Sequence, residues 1–259
     1  RHRSNSRRFS LVKRLRNYLS SQMVPFVVGN DDGQLERTEA GEKRVDYNAA
    51  ILFRRGLIEE TYRKLHLVPF TESFPFKNQL PGIYQWLKDA DTHFWKPGSE
   101  YIVFDSDGQT EDEGVSFSTL ICFEDTFGYL SREFVRRGAQ VLVNMSNDWW
   151  SQSIPAEMQH MMIGIFRAVE NRRSMVRSTN GGMTMIVDPD GRIVKMIEPF
   201  TANYLVGDVP VVSTSETLYT RWGDWFAIIV IIVAAILLIF GSLRSTVFGR
   251  KYSRLKELR

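Results

Sequence analysis

A single cysteine, Cys122, stands among 259 residues, so the chain cannot close an internal disulfide and is not a disulfide-stapled secreted fold. Histidine is almost as scarce, at four. Neither His66 nor His160 is spaced from Cys122 or from a carboxylate as a metal-ligand pair would be, so the sequence offers no metal and no cofactor. No ribonucleoprotein, zinc-finger or helix-turn-helix signature is present. The formal net charge of +3 does not supply a basic face either. Residues 1–16 carry seven Lys/Arg and no acid, and residues 244–259 carry six with one acid, Glu257. Taking these from the totals of 33 and 30 leaves 20 basic against 29 acidic residues in 17–243, a net charge of −9. Nucleic acid is therefore not an expected partner. No apolar stretch follows the early arginines, which excludes a secretory signal there, and no internal repeat is visible.

Charge is absent altogether from Trp225 to Leu243, WFAIIVIIVAAILLIFGSL. Nineteen helical residues rise about 28 Å, close to the thickness of a bilayer's hydrocarbon core. Core helices of soluble proteins rarely stay apolar all round for five turns. Trp222 and Trp225 stand where interfacial anchors belong. The sequence predicts a membrane-spanning helix at 225–243. The twenty residues before it hold only Arg221 as a base, and the sixteen after it hold six Lys/Arg. By the positive-inside rule the C-terminal tail, 244–259, is cytoplasmic and the preceding domain lies on the outer side. The tail is expected to meet anionic headgroups.

The rest reads as alternating strands and helices, an α/β pattern. A basic segment, residues 1–23, is helical from about Leu11. Val24–Gly29 reads as a strand, residues 30–44 as a polar loop, and Tyr47–Phe53 and Leu57–Tyr62 as strands joined by a tight turn at Arg54–Gly56. Residues 69–101 break any period with four prolines and eight aromatics, the mark of a functional loop. These aromatics suit either contact with lipid or a satellite cluster beneath the loop. Gly128–Arg137 and Ala156–Arg173 read as helices, the second with an apolar stripe of Met158, Met162, Ile165 and Val169 and with its methionines in the core. Strands follow at Ala139–Met145, Ser174–Thr179, Met183–Val187 and, after an Asp188–Gly191 hairpin turn, Arg192–Ile197.

Three segments carry chemistry. Ser118-Thr-Leu-Ile-Cys-Phe-Glu124 reads as a buried strand ending in a thiol, where α/β sheets open onto a crevice. If the strand runs on, Cys122 and Glu124 share a face. A lone cysteine is as readily a small core hydrophobe as a nucleophile. Asn144-Met-Ser-Asn-Asp148 ends the next strand with polar groups on the same side. In Tyr62-Arg-Lys-Leu-His-Leu-Val-Pro-Phe-Thr-Glu72, Lys64 at a strand end is placed as an oxyanion-stabilising cation would be, although a surface lysine is the plainer reading.

Together these segments resemble the apolipoprotein N-acyltransferases, membrane enzymes with a nitrilase-like domain. Further matching stretches are Tyr47-Asn-Ala-Ala50, Asn144-Met-Ser-Asn-Asp-Trp149, Arg167-Ala-Val-Glu170, Arg177-Ser-Thr-Asn180 and Thr220-Arg-Trp-Gly-Asp-Trp-Phe226. The resemblance runs from about residue 24 to 240, with Thr71 where the family usually has Gly and Phe123 where it usually has Tyr. It implies a four-layer α-β-β-α sandwich at residues 24–224 followed by one transmembrane helix. It further implies Cys122 as nucleophile, Lys64 as the oxyanion-steadying cation, and Glu72 and Glu124 as active-site surroundings. The implied reaction takes an acyl chain from a phospholipid onto Cys122 as a thioester. The α-amine of a diacylglyceryl-cysteine lipoprotein then receives it at the bacterial inner membrane, with the catalytic domain on the periplasmic side.

The family's general-base glutamate lies on a strand upstream of the segment resembling Val24–Gly29. Residues 1–23 contain no acid, and Glu36, Glu39 and Glu42 fall on the wrong side of that strand. The chain, which begins at Arg1, is thus expected to be the C-terminal portion of such an enzyme, with its domain truncated at the N-terminus and without the base. Two other readings stay open: a non-catalytic membrane-anchored binding module, and a membrane-tethered amidase that uses water as acceptor.

Overall fold

The computed structural model describes residues 2–38, 41–90, 92–106, 114–212 and 216–256. Among the described residues nine strands form two sheets. β1 (Phe26–Thr38), β2 (Gly41–Arg54) and β3 (Leu57–Arg63) make an antiparallel sheet in the order β1-β2-β3. The second sheet has six strands in chain order: β4 (Phe104–Asp105), β5 (Ser116–Ile121), β6 (Val141–Asn147), β7 (Ser174–Asn180), β8 (Thr184–Val187) and β9 (Ile193–Ile197). Only β5, β6 and β7 run parallel to one another. Each of those two pairs needs a crossover, supplied by α3 (Gly128–Arg136) and α4 (Ile154–Asn171). The sheets face each other through one core that joins Ala50, Leu52 and Tyr62 of the first to Leu120, Leu142 and Met175 of the second. Helix α1 (His2–Ser21) lies on the outer side of the first sheet and buries Leu19, giving the α-β-β-α layering.

Local chemistry explains the turns. Arg55 (φ +50°) and Gly56 (φ +76°) are both left-handed, the twist a two-residue hairpin needs between β2 and β3. A Cβ at Gly56 would also sit 2.8 Å from Ser20 Cβ, so α1 rests directly on this turn.

Four expectations change. The polar stretch 30–44 is not a loop over its described residues. β1 and β2 continue as a ribbon from Phe26 opposite Phe53 to Thr38 opposite Gly41, and Glu39 lies outside the described residues. Its polar side chains are satisfied across the ribbon and by its neighbours: Tyr47 Oη and Lys96 Nζ both donate to Glu36 (2.8 and 2.6 Å), and Arg63 donates to Asp32 at 2.7 Å. Its Gly-, Asp- and Glu-rich composition reads as loop because both faces of the ribbon are polar. Residues 69–101 contain a helix, α2 (Pro81–Asp89), begun by its proline. Phe70, Phe74, Phe76, Tyr84 and Phe94 stack into one aromatic cluster, yet Phe70, Phe76, Ile83 and Trp86 remain exposed.

The third change concerns α4, which turns a different face inward. Met158, Met162 and Val169 of the expected stripe are exposed, as is Phe166, and Ile165 packs against the core, whereas Glu157, Met161, Gly164, Arg167, Ala168 and Asn171 are buried. Gly164 passes so close to Arg177 that a Cβ would lie 3.1 Å from its guanidinium; the sheet-facing side is thus reserved for a polar network. Fourth, β5 stops at Ile121, and Cys122–Thr126 form a 3-10 turn. Cys122 and Glu124 therefore do not share a strand face.

A short helix, α5 (Leu218–Trp222), leads into α6 (Trp225–Lys256). Arg132 donates to the carbonyls of Tyr219, Thr220 and Arg221, and Thr220 Oγ1 bonds Asn171, so α5 is docked on α3 and α4. The stretch Trp225–Ser242 of α6 is long and apolar enough to cross a membrane, and none of it is buried.

Candidate active site

The carboxyl ends of β5, β6 and β7 and the faces of β1 and β2 enclose a cavity of about 990 Å³. Cys122, Ser146, Asn147, Ser178 and Asn180 line it from one sheet, and Asn30, Asp31, Asn48 and Ala50 from the other. Small side chains at Ala49 and Ala50 leave the space that larger residues would fill.

Cys122 is the first residue past β5 and has φ +55°. For a non-glycine residue such a backbone costs about 1–3 kcal/mol and persists only where the surroundings enforce it. Here Asn144 Nδ2 donates to the Cys122 carbonyl at 2.9 Å, and Glu124 ties the turn down. The half-buried sulfur faces the cavity. Burial and, to a lesser degree, the Asp148 carboxylate push its thiol up; the Ser146 hydroxyl, the Lys64 ammonium and the Phe123 N–H pull the other way, toward thiolate.

Lys64 follows β3 and is fully buried. Its Nζ donates to both oxygens of Glu72, at 2.9 and 2.7 Å, and lies 5.1 Å from the Phe123 ring centroid. Glu72 also accepts from the Val68 N–H at 2.8 Å and from Asn48 Nδ2 at 3.4 Å. The backbone of Lys64 is clamped as well: its N–H donates to Asn48 and its carbonyl accepts from Gly98. A Cβ at Gly98 would lie 2.3 Å from the Arg63 carbonyl, so only glycine permits this approach.

Glu124 explains how the thiol and the ammonium are held together. Completely buried, it accepts from the N–H groups of Leu65 (2.8 Å), His66 (3.0 Å) and Ile121 (2.7 Å) and from Tyr62 Oη (2.9 Å). It therefore staples the chain on both sides of Lys64 to the turn that carries Cys122. Burial raises its carboxyl to about 7, against the pull of these donors. Glu124→Gln places an NH₂ group among three backbone N–H groups that can only donate. Leaving buried donors unpaired costs about 1–3 kcal/mol each. We expect a loss of about 3 kcal/mol in denaturant unfolding and a cysteine that alkylates more slowly; an unchanged midpoint would remove the staple from this account.

The structure thus brings together all four residues marked in the sequence, Cys122, Lys64, Glu72 and Glu124. Sequence reasoning missed a second group behind the thiol. His160 Nε2 lies 2.9 Å from Asp125 Oδ1, its Nδ1 lies 3.3 Å from Asp148 Oδ2, and Arg177 pairs with Asp125 and lies 3.7 Å from Asp148. Asp148 accepts from the Ser146 hydroxyl. The signal available was the run of hydrogen-bonding residues at 144–148 together with Arg177. His160, read as ordinary, sits on the inward face of α4 that the apolar stripe had concealed. Among the described residues no cluster of His, Cys, Asp and Glu has the geometry to hold a metal ion.

A thiol on a strained turn, a buried lysine beside it and an adjoining N–H donor can together hold a thiolate and then a negatively charged oxygen. Comparison with known proteins places the arrangement. The model of the carbon-nitrogen hydrolase family matches residues 10–219. The chain belongs to that family. It is 43% identical over 250 residues to apolipoprotein N-acyltransferase 1 of Treponema pallidum, covering 94% of this chain and 45% of that protein. It is 33% identical over 198 residues to the apolipoprotein N-acyltransferase of Thermotoga maritima, covering 76% and 37%. The chain thus spans less than half the length of these relatives. Saccharomyces cerevisiae Nit3, a member of branch 10 of the nitrilase superfamily, superposes with a TM-score of 0.51 at 20% identity over 73% of this chain and 60% of its own. That likeness shows the nitrilase fold.

Proposed function

We propose that this chain carries the acyl-transfer site of a membrane-bound apolipoprotein N-acyltransferase. The observation that carries the reading is Cys122, its thiol drawn toward thiolate by the buried Lys64 ammonium, at the wall of a cavity far larger than a small amide needs. Identity with apolipoprotein N-acyltransferases over nearly the whole chain supports the substrate class. The exposed aromatic surface at Phe70, Phe76 and Trp86 and the apolar helix α6 suit a donor drawn from a bilayer.

In the proposed reaction the Cys122 sulfur attacks the ester carbonyl of a phospholipid. Lys64 and the Phe123 N–H steady the oxyanion, the ester C–O bond breaks, and the lysophospholipid leaves with a proton. The α-amine of a diacylglyceryl-cysteine at a lipoprotein's N-terminus then attacks the thioester; an amide forms, the C–S bond breaks and the thiol regains its proton. Glu72 and Glu124 are engaged by other donors, which leaves neither placed to act as the general base. Helix α6 spans the inner membrane with its basic end in the cytoplasm, which puts the site on the periplasmic side.

The test is to incubate membranes holding the protein with phospholipid carrying a labelled acyl chain, then digest and map the label. Label on the Cys122 peptide that hydroxylamine releases, and that chases onto a diacylglyceryl-cysteine peptide, is expected. No label would favour a binding module, and release to water in place of the peptide amine would favour an amidase.

A further inference from the structure

The network behind the thiol has no part in the reaction described so far. Strand register brings it to the sulfur: Ile121 pairs with Met145 in the parallel β5–β6 ladder, so Cys122 and Ser146 are next neighbours, and both line the cavity. The Ser146 hydroxyl acts on the neighbouring thiol, pulling it toward thiolate, and it donates to Asp148. A serine has one hydroxyl proton and cannot donate to both. While Cys122 is a thiol, the Ser146 proton belongs to Asp148 and the hydroxyl oxygen accepts the S–H. Once Cys122 has lost its proton to solvent or to a base, the sulfur becomes the better acceptor and the hydroxyl can turn to it.

What decides how readily it turns is the hold of Asp148. That carboxylate is faced by His160 from α4, by Arg177 from β7 and by Glu157, also from α4, with Asp125 completing the charge from the turn after β5. A Cβ at Gly182 would meet Asp148 Oδ2 at 2.5 Å and Glu157 Oε2 at 2.7 Å, so the two carboxyl oxygens converge on one point. Neither oxygen has a hydrogen-bond partner among the described residues. Converging carboxyls cannot both ionise freely, and Glu157 is the one pushed up, by burial and by Asp148. Two carboxylates, Asp148 and Asp125, thus face two cationic partners, His160 and Arg177, with the Glu157 carboxyl pushed toward its neutral form beside them. The positive charges of His160 and Arg177 lie beside Asp148 Oδ2, so the carboxylate keeps cationic neighbours when the Ser146 proton turns away.

We propose that Ser146 is a positioning residue for Cys122, a hydroxyl that turns from Asp148 to the sulfur as the thiolate forms, with His160 and Arg177 holding Asp148 so that it can let go. No covalent step is involved. The inference rests on Cys122 being the nucleophile, but its test does not require acyl transfer.

The experiment is the pH dependence of iodoacetamide alkylation at Cys122, read by mass spectrometry on the tryptic peptide of the membrane-extracted protein. Ser146→Ala should move the profile to higher pH and slow alkylation at pH 7 by about tenfold, the factor that one pKa unit represents. Ser146→Thr, which keeps the hydroxyl, should restore the wild-type profile. His160→Gln should shift it in the same direction as Ser146→Ala, because Asp148 without its cation keeps the serine proton. A Ser146→Ala profile that overlays wild type in a protein of unchanged circular dichroism overturns the proposal. So does a Thr variant as slow as Ala, since a purely steric role would show that. Should Cys122 never take label from phospholipid while these shifts appear, the acyltransferase reading fails and this one stands.

Discussion

Cys122→Ala should abolish both half-reactions, lowering lipoprotein acylation in membranes by about 10⁴- to 10⁶-fold, the scale on which loss of a covalent nucleophile acts. No labelled thioester should form, and hydroxylamine should release nothing. The variant is interpretable because the fold should tolerate it. Alanine keeps the Cβ, so the +55° φ is no more strained than before, and the carbonyl still accepts from Asn144. The melting temperature should therefore stay near that of wild type. Acyl transfer surviving at more than a thousandth of the wild-type rate in a folded Cys122→Ala protein would end the thioester mechanism.

The second large effect is expected at Lys64. Lys64→Met keeps the length and removes the charge, with two separable consequences. The oxyanion loses a preorganised donor, worth about 10²- to 10³-fold in rate. The thiol also loses the cation that favours its ionised form, so the pH profile of alkylation should move upward as well. The other consequence is structural. Glu72 is left as a nearly buried carboxylate without its ammonium, and breaking a buried pair costs about 3–5 kcal/mol. Adding Glu72→Gln removes the stranded charge. The double variant should regain much of the stability while transferring no more acyl chain than Lys64→Met. If the double variant recovered activity together with stability, Lys64 would be a structural residue and the oxyanion would have to be held elsewhere.

How much of this was legible in the sequence differs by element. The parallel strands announced themselves as short apolar runs with helices between them, because both of their faces are covered and every residue must suit a dry interior. The thiol and the lysine were legible because each ends a strand, where a sheet opens. The β1–β2 ribbon was not. Its polar residues find partners such as Lys96 from a distant loop and Arg63 at the end of β3, and nothing local distinguishes such a ribbon from a loop. Helix α4 misled in the opposite direction. Its apolar stripe faces outward because its inward side is occupied by His160, Arg167 and the close approach of Gly164 to Arg177.

By itself the sequence determined the α/β class, the parallel strands that end at the crevice, Cys122 and Lys64 as strand-end candidates and the apolar helix after Trp225. These follow from period, from residue type at strand ends and from an uncharged run, all of which are local. Only the tertiary structure decided that Glu124 staples the Lys64 segment to the cysteine turn, and that Ser146, Asp148, His160, Asp125 and Arg177 meet behind the thiol. Those groups come from β6 and the loop after it, from α4, from the turn after β5 and from β7. A buried charge finds its partner through the register of strands and the rotation of a helix, and sequence spacing records neither.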